Sequence, residues 1–165
     1  MFGAAPQSNA VLIDARITAV RVPGVAPSMT FADRQEFLGR LPEQFASAVA
    51  FLERHTENRS VLIGTQRVDE RPPGTVPLSV LREVVLNALC HRDYSMAAAT
   101  RIVVYDDRIE VTNAGDLVNR LTIASIKAGT ASISRNPVLS ERLRRHVLGR
   151  EALAFGIPTM IETVR

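Results

Sequence analysis

Apolar residues recur at helical spacing between Leu78 and His91. They stand three and four positions apart, which is the period of an amphipathic helix. Pro77 directly precedes this segment, where its missing N–H costs nothing because the first turn of a helix has no partner for that group. Glu83 and Asn87 lie one turn apart and project from the same side. The pattern therefore predicts a helix that carries a polar column.

The spacing changes to alternation further along the chain. Two β-branched runs, Arg101–Tyr105 and Arg108–Thr112, are separated by Asp106-Asp107, which is typical of a hairpin with a tight turn. Asn113 and Gly115 follow the second run closely. A polar helix column, a hairpin and a glycine turn in succession favour a functional site over packing alone.

Helices and strands also alternate elsewhere in the sequence. Further helices are predicted from Pro42 to about His55, from Leu121 to Lys127, after Asn136-Pro137 and from Gly156 onward. Strands are predicted at Val11–Val22, Phe31–Phe37 and Ser60–Val68. This interleaving, without a regular repeat or a visible domain boundary, indicates a mixed α/β class.

Length and composition are those of one soluble domain. The chain has 165 residues, of which 46% are hydrophobic and 22% charged, in the range of a domain with a single core. No apolar run reaches the roughly 18 residues that cross a bilayer, and the N-terminus has no signal-peptide layout. We expect a cytoplasmic protein with no membrane partner.

Net charge and cysteine content exclude few classes of function. The net charge of +3 is compatible with nucleic acid but does not indicate it. Arg142, Arg144 and Arg145 form a local cluster, which a solvated helix face explains more often than a phosphate-binding patch. Cys90, the single cysteine, excludes an internal disulfide and is expected to be a small core residue.

Three motifs carry a family resemblance in order: LREVVLNALCHRDYS, YDDRIEVTNAGDL and SRNPVLSERLRR. Together with ARITAVRVPG and FADRQEFLGRLPEQ, they resemble bacterial and archaeal transcriptional regulators described as RecG-related ATP-binding proteins. The domain with these motifs is a divergent member of the superfamily that contains DNA gyrase, MutL and the sensor histidine kinases. The resemblance, from about Phe2 to Ile161, implies an α+β fold, a two-layer α/β sandwich whose mixed sheet has helices on one face.

The resemblance also implies a nucleotide site on the central helix. In the superfamily a Glu polarises the attacking water, and an Asn four residues later holds Mg²⁺. Glu83 and Asn87 match that pair, so Glu83 is the expected catalytic base and Asn87 the expected metal ligand, with ATP and Mg²⁺ as the cofactors. His91, Arg92 and Asp93 would line the same pocket, with Arg92 meeting a phosphate. The alternative is that the pair lies on a solvent-exposed helix face.

Two motifs depart from the superfamily pattern. The Asp-x-Gly-x-Gly motif, whose Asp binds the adenine amino group, is NAGD here, leaving Asn113 and Gly115 as the expected nucleotide contacts. Gly115 alternatively serves only a turn that needs positive φ. The Gly-Thr-Gly-Ile lid motif is AFGI here and retains Gly156. The SRNP segment is kept, so Arg135 and a helix N-terminus would meet an anion, or would serve only as a surface arginine and an N-cap.

One divergent ATPase-like domain over residues 1–165 is therefore expected, as a fragment of a longer regulator. The expected function is a nucleotide-binding regulatory module of a bacterial or archaeal transcriptional regulator, with weak or no ATP hydrolysis. DNA would be bound through other domains of the full-length protein, and a homo-oligomer is a further expectation. The alternative is a degenerate domain that binds no nucleotide and serves in dimerisation or signal relay.

Overall fold

Strands and helices alternate in the computed structural model, which describes residues 7, 12, 14–56, 59–63, 66–70, 76–118, 121–130, 133–148 and 157–163. The strands in these ranges are β1 Ile17–Arg21, β2 Asp33–Phe37, β3 Arg59–Ile63, β4 Gln66–Glu70, β5 Thr100–Val104 and β6 Ile109–Thr112. The helices are α1 Leu41–His55, α2 Leu78–His91, α3 Ile123–Lys127, α4 Pro137–Leu148 and α5 Ile157–Thr163.

A four-stranded mixed sheet has the order β2-β1-β5-β6. β1 pairs antiparallel with β2 and parallel with β5, and β5 pairs antiparallel with β6, its predicted hairpin partner. Parallel neighbours need a long crossover because a tight turn reverses the chain. The segment that contains α1 and α2 supplies that crossover between β1 and β5. The predicted α+β class with a mixed sheet is confirmed.

The main core lies between the sheet and the helices. Ile17 and Ala19 of β1 and Ile102 and Val104 of β5 are buried in one cluster with apolar residues of α1, α2 and α4. The intervening residues of these strands point to the opposite face, as the two-residue period of a strand requires, and there a smaller cluster packs against Phe31. The predicted packing of helices on one face of the sheet is confirmed.

The central helix predicted from the sequence is α2. It begins directly after Pro77, and its apolar stripe is buried in the main core. Cys90 is buried there too, and burial raises the pKa of its thiol, as expected for a core residue and not for a nucleophile. Glu83 is buried on the same helix, which is rare for a carboxylate without a charged partner.

Asn136 closes the end of α2. Its side-chain nitrogen donates to the carbonyl oxygens of Cys90, at 3.0 Å, and Arg92, at 2.8 Å. The final carbonyls of a helix have no partner within it, so these bonds satisfy groups that would otherwise need water. Asn136 was predicted to cap α4, which does begin at Pro137 as predicted. The amide thus connects the end of one helix to the start of the other.

Two strand predictions need correction. The predicted strand Ser60–Val68 is a hairpin, in which β3 and β4 pair antiparallel in a separate two-stranded sheet. Ile63 pairs with Gln66, so only two residues separate the strands, the length of the tightest hairpin connections. The predicted strand Val11–Val22 is shortened to β1.

None of the helices in the described ranges combines the length and apolar character that crossing a membrane requires.

Candidate functional site

A cavity of about 740 Å³ opens beside α2 and the segment that follows β6. Its wall includes five of the residues predicted for the site, namely Asn87, His91, Asn113, Gly115 and Arg135. Residues of α3, α4 and the start of α5 complete the wall. Residues far apart in the sequence therefore line one cavity. Its volume is in the range of small-molecule binding sites.

Aliphatic side chains form much of the remaining wall. They come from the segment after β6, from α3 and from the segment before α4: Leu117, Val118, Leu121, Ile126 and Ile133. A wall of this kind accepts a flat apolar group, whereas the polar residues of α2 and α4 offer hydrogen bonds and charge. The cavity thus has the two kinds of surface that a nucleotide needs.

One arginine of α4 holds both residues of the predicted catalytic pair. Arg144 Nη1 donates to Glu83 Oε1 at 2.9 Å, and Arg144 Nη2 donates to Asn87 Oδ1 at 2.6 Å. The Glu83 side chain is only 4% exposed, and that of Arg144 is 25% exposed. Arg144 also lines the cavity. The pair therefore neither points into bulk water nor stands free.

The charge of Glu83 depends on this contact. Burial raises the pKa of Glu83 above its ordinary value, while the ion pair with Arg144 and a hydrogen bond with Asn87 act in the opposite direction. Removing a carboxylate from water disfavours its ionised form, whereas a nearby cation favours it. Arg144 is thus the group that stabilises a charge at this position.

A second ion pair lies at another part of the cavity. Arg135 Nη1 donates to Asp93 Oδ2 at 2.8 Å, and Arg135 Nη2 donates to the carbonyl oxygen of Asp116. Hydrogen bonds from Ser95, and then the charge of Arg135, lower the pKa of Asp93. Arg135 therefore connects the loop after α2 to the turn after β6, and Asp93 balances its charge.

His91 lies on the cavity wall, where the charges of two arginines act on it. Partial desolvation lowers the pKa of His91, and the charges of Arg144 and Arg135 lower it further. Because an imidazole titrates near neutral pH even when unperturbed, this lowering favours the neutral ring. His91 therefore offers the cavity one donor and one acceptor nitrogen.

Arg92 does not face the cavity, and its predicted contact with a phosphate is corrected. Its side chain is buried, where it donates to the carbonyl oxygens of Asp14, Arg16 and Ala98. Asp14 and Arg16 lie just before β1, and Ala98 lies just before β5. The guanidinium is used inside the fold because it can satisfy several carbonyls at once.

Asn113 lines the cavity, but its amide already bonds within the fold. Its Oδ1 accepts from Thr100 Oγ1 at 2.7 Å, and its Nδ2 donates to the carbonyl oxygen of Ala88. These bonds join the end of β6 to β5 and α2. Asn113 therefore carries no carboxylate, and both polar atoms of its amide already bond within the fold. Gly156, the remaining predicted site residue, lies outside the described residues.

Part of the chain matches a known protein family. Residues 98–165, less than half of the chain, match the family model described as "Putative ATP-dependent DNA helicase recG C-terminal". This part of the chain is similar to that ATPase-like domain family. The match covers β5, β6 and the helices that follow, and so includes the NAGD and SRNP motifs. A comparison with curated proteins gives no match.

A solved structure has the same fold as the chain. The crystal structure of the DIP2311 protein from Corynebacterium diphtheriae superposes with a TM-score of 0.62 at 20% sequence identity. The similarity covers 82% of this chain and 27% of that protein, so the chain spans about a quarter of its length. This likeness establishes the fold over most of the chain.

Magnesium does not fit the Glu83–Asn87 pair. Mg²⁺ requires oxygen ligands at about 2.0–2.1 Å in near-octahedral geometry. Here the side-chain oxygen of Asn87 accepts from a guanidinium, and so does one oxygen of Glu83. A metal at Asn87 would meet the positive charge of Arg144. The pair is thus occupied by a cation that belongs to the chain.

Arg144 is the functional residue that the sequence prediction missed. It was grouped with Arg142 and Arg145 as a solvated helix face. Its position relative to Ser140 gives the signal that could have identified it, because the two lie one turn apart beside the buried Leu143. Both line the cavity. An arginine on the inner side of an apolar stripe indicates a partner on the facing helix.

Substituting Gly115 with alanine is expected to disturb this site. Gly115 has φ +103°, and an added Cβ would lie 2.8 Å from Asp93 Cβ and 3.3 Å from Arg135 Nη2. We expect Gly115→Ala to lower the free energy of unfolding by about 2–3 kcal/mol, from the left-handed backbone and the clash together. Urea denaturation provides the measurement.

Gly24 supplies the matched control for this substitution. It also has a positive φ, +83°, but an added Cβ would meet nothing within 4 Å. Gly24→Ala should therefore cost only the backbone term, about 1 kcal/mol. Equal losses in the two variants would show that the contact with Asp93 and Arg135 has no energetic consequence.

Proposed function

We propose that this chain is a nucleotide-binding regulatory module, in which the cavity beside α2 takes an adenine nucleotide such as ATP. The observation that carries the proposal is the cavity itself, whose lining combines aliphatic side chains with Asn87, His91, Arg135 and Arg144. An aliphatic wall suits a base, and arginine forks suit phosphate oxygens. The ATPase-like family match supports the same ligand class.

The contacts of Glu83 favour a regulatory role without rapid hydrolysis. A general base must reach a water with a free lone pair in the reactive position. Glu83 has one oxygen bound to Arg144 and is nearly excluded from solvent. We propose that the module belongs to a longer bacterial or archaeal transcriptional regulator. In that regulator, nucleotide binding and not hydrolysis would be the signal to the DNA-binding domains.

Calorimetric titration with ATP tests the proposal. We expect saturable binding with a Kd between about 10 µM and 1 mM, equivalent to roughly 4 to 7 kcal/mol. Ile126→Glu, which places a charge on the aliphatic wall, should weaken that binding at least tenfold, because the base would then be held against a carboxylate.

Ile123 provides the matched control on the same short helix. It is 66% exposed and does not line the cavity, so Ile123→Glu should leave the Kd of ATP within twofold of the unchanged protein. The absence of saturable ATP binding would reject the nucleotide proposal and favour the alternative of a dimerisation or relay domain. Equal weakening by both substitutions would place any bound ATP elsewhere.

A further inference from the structure

We infer that Arg144 replaces the divalent metal at the Glu83–Asn87 pair, so that the cavity takes a phosphate ligand free of metal. The geometry is that of a cation held by a carboxylate and an amide oxygen. One guanidinium nitrogen lies 2.9 Å from Glu83 Oε1 and the other lies 2.6 Å from Asn87 Oδ1. The inference rests on the proposed function for its ligand, but not for the exclusion of metal.

The pair is well suited to hold an arginine. The planar fork of a guanidinium presents two donors side by side, and Glu83 and Asn87 present two acceptors one helical turn apart. Each acceptor meets its own nitrogen, so both distances are those of full hydrogen bonds. Bringing Mg²⁺ to the same oxygens would require these bonds to break and two positive charges to approach each other.

Arg144 also retains donors for a ligand. A guanidinium has five N–H groups, and the described contacts with Glu83 and Asn87 use two of them. The side chain is 25% exposed and lines the cavity together with Arg135. Arg144 can therefore bind a phosphate oxygen while its bonds to α2 stay in place. In other nucleotide sites a hydrated metal ion bridges protein and phosphate in this way.

The other charged groups around the cavity do not supply a free positive charge. Asp93 balances Arg135, and the lowered pKa of His91 favours its neutral form. Asp116, whose backbone accepts from Arg135, adds another carboxylate to the lining. Glu83 balances Arg144 in the same way, so a phosphate ligand would be bound through the remaining N–H donors of Arg144 and not through an uncompensated charge.

Titration with Mn²⁺ alone tests the exclusion of metal. We expect the unchanged protein to bind no Mn²⁺ at the pair up to about 1 mM, observed as free Mn²⁺ by electron paramagnetic resonance, because the guanidinium occupies both oxygens. Arg144→Met should gain Mn²⁺ binding, and Asn87→Ala in that background should abolish it. Mn²⁺ binding by the unchanged protein that Asn87→Ala removes would overturn the inference.

Arg145 supplies the matched control for this titration. It follows Arg144 on α4, pairs with Glu141 at the surface and is 61% exposed. Arg145→Met should behave like the unchanged protein and bind no Mn²⁺. A gain of Mn²⁺ binding in this variant equal to that of Arg144→Met would show that general loss of positive charge, and not the freed pair, creates the metal site.

ATP titration in excess EDTA and in excess Mg²⁺ tests the ligand. We expect the unchanged protein to bind ATP at least as tightly in EDTA as in Mg²⁺. In EDTA, the affinity of Arg144→Met for ATP should be at least tenfold lower than that of the unchanged protein. Should that variant fail to fold, Glu83→Gln/Arg144→Met, which leaves no buried charge, should show the same loss. Binding by the unchanged protein that requires Mg²⁺ would overturn the inference while leaving the nucleotide proposal intact.

The two proposals fail differently. If ATP and inorganic triphosphate bind under neither condition, the nucleotide proposal fails, and the metal-free ligand fails with it. The exclusion of metal is then still decided by the Mn²⁺ titration, which requires no nucleotide. If the protein binds ATP in EDTA but Arg144→Met binds it equally well, the ion pair only joins α2 to α4 and the inference is overturned.

Discussion

Replacing Arg92 with methionine is expected to lower the free energy of unfolding by about 3 to 5 kcal/mol. The guanidinium is buried and donates to three backbone carbonyls, at Asp14, Arg16 and Ala98. Each hydrogen bond to a charged donor contributes roughly 1.5–3 kcal/mol, and the effects of neighbouring bonds are not fully additive. Methionine replaces the aliphatic part of the side chain but has no donor, so all three bonds are lost.

Urea denaturation of Arg92→Met, Arg92→Lys and Arg101→Met measures the effect. Lysine keeps the charge but lacks the planar fork, so we expect an intermediate loss. Arg101 is exposed on β5, and Arg101→Met should change the free energy of unfolding by no more than about 0.5 kcal/mol. If Arg92→Met behaved like Arg101→Met, the buried contacts would have no role in stability, and a ligand role for Arg92 would be open again.

Local spacing predicted those parts of the fold whose signals lie within one element. The stripe of α2, the hairpin of β5 and β6 and the start of α4 at Pro137 all follow from periods and turn residues within about fifteen positions. The cap of α3 is equally local, since Thr122 Oγ1 accepts from the backbone of Ser125 at 3.1 Å. These contacts are local, so the sequence displays them.

The missed features depend on contacts between distant segments. Arg92 was assigned to a phosphate because it follows Asn87 and His91 in the sequence, yet two of its three carbonyl partners lie more than 70 positions earlier in the chain. Arg144 was assigned to solvent because nothing within α4 identifies Glu83 as its partner, 61 positions away. A buried charge needs a partner of opposite sign, but sequence spacing alone does not say which residue supplies it.

Asn87 shows how far the resemblance extended the prediction. Its place on the polar column and beside the cavity was anticipated, as were the positions of His91, Gly115 and Arg135 on the same wall. The family pattern supplied those positions from motif order, since composition and spacing supplied only a polar column. The resemblance did not include a guanidinium between Glu83 and Asn87, because that pattern places a metal there.

Replacing Arg144 with methionine is expected to lower the free energy of unfolding by about 3 kcal/mol at pH 7.5. The change leaves Glu83, which is 4% exposed, without its cation. An isolated buried carboxylate is far more costly than a buried ion pair, since nothing then offsets its lost hydration. Glu83→Gln/Arg144→Met removes both charges and should return the stability to within about 1 kcal/mol of the unchanged protein.

The pH dependence of Arg144→Met follows from the direction of the Glu83 pKa. Burial already raises this pKa in the folded protein, and loss of Arg144 raises it further. A carboxyl with a raised folded pKa stabilises the fold below its unfolded pKa, and that contribution is lost as pH rises through the folded pKa. The deficit of Arg144→Met should therefore be small at pH 5 and largest at pH 7.5. Urea denaturation at the two pH values measures it, and a deficit independent of pH would mean that lost packing, and not the buried charge of Glu83, causes the effect.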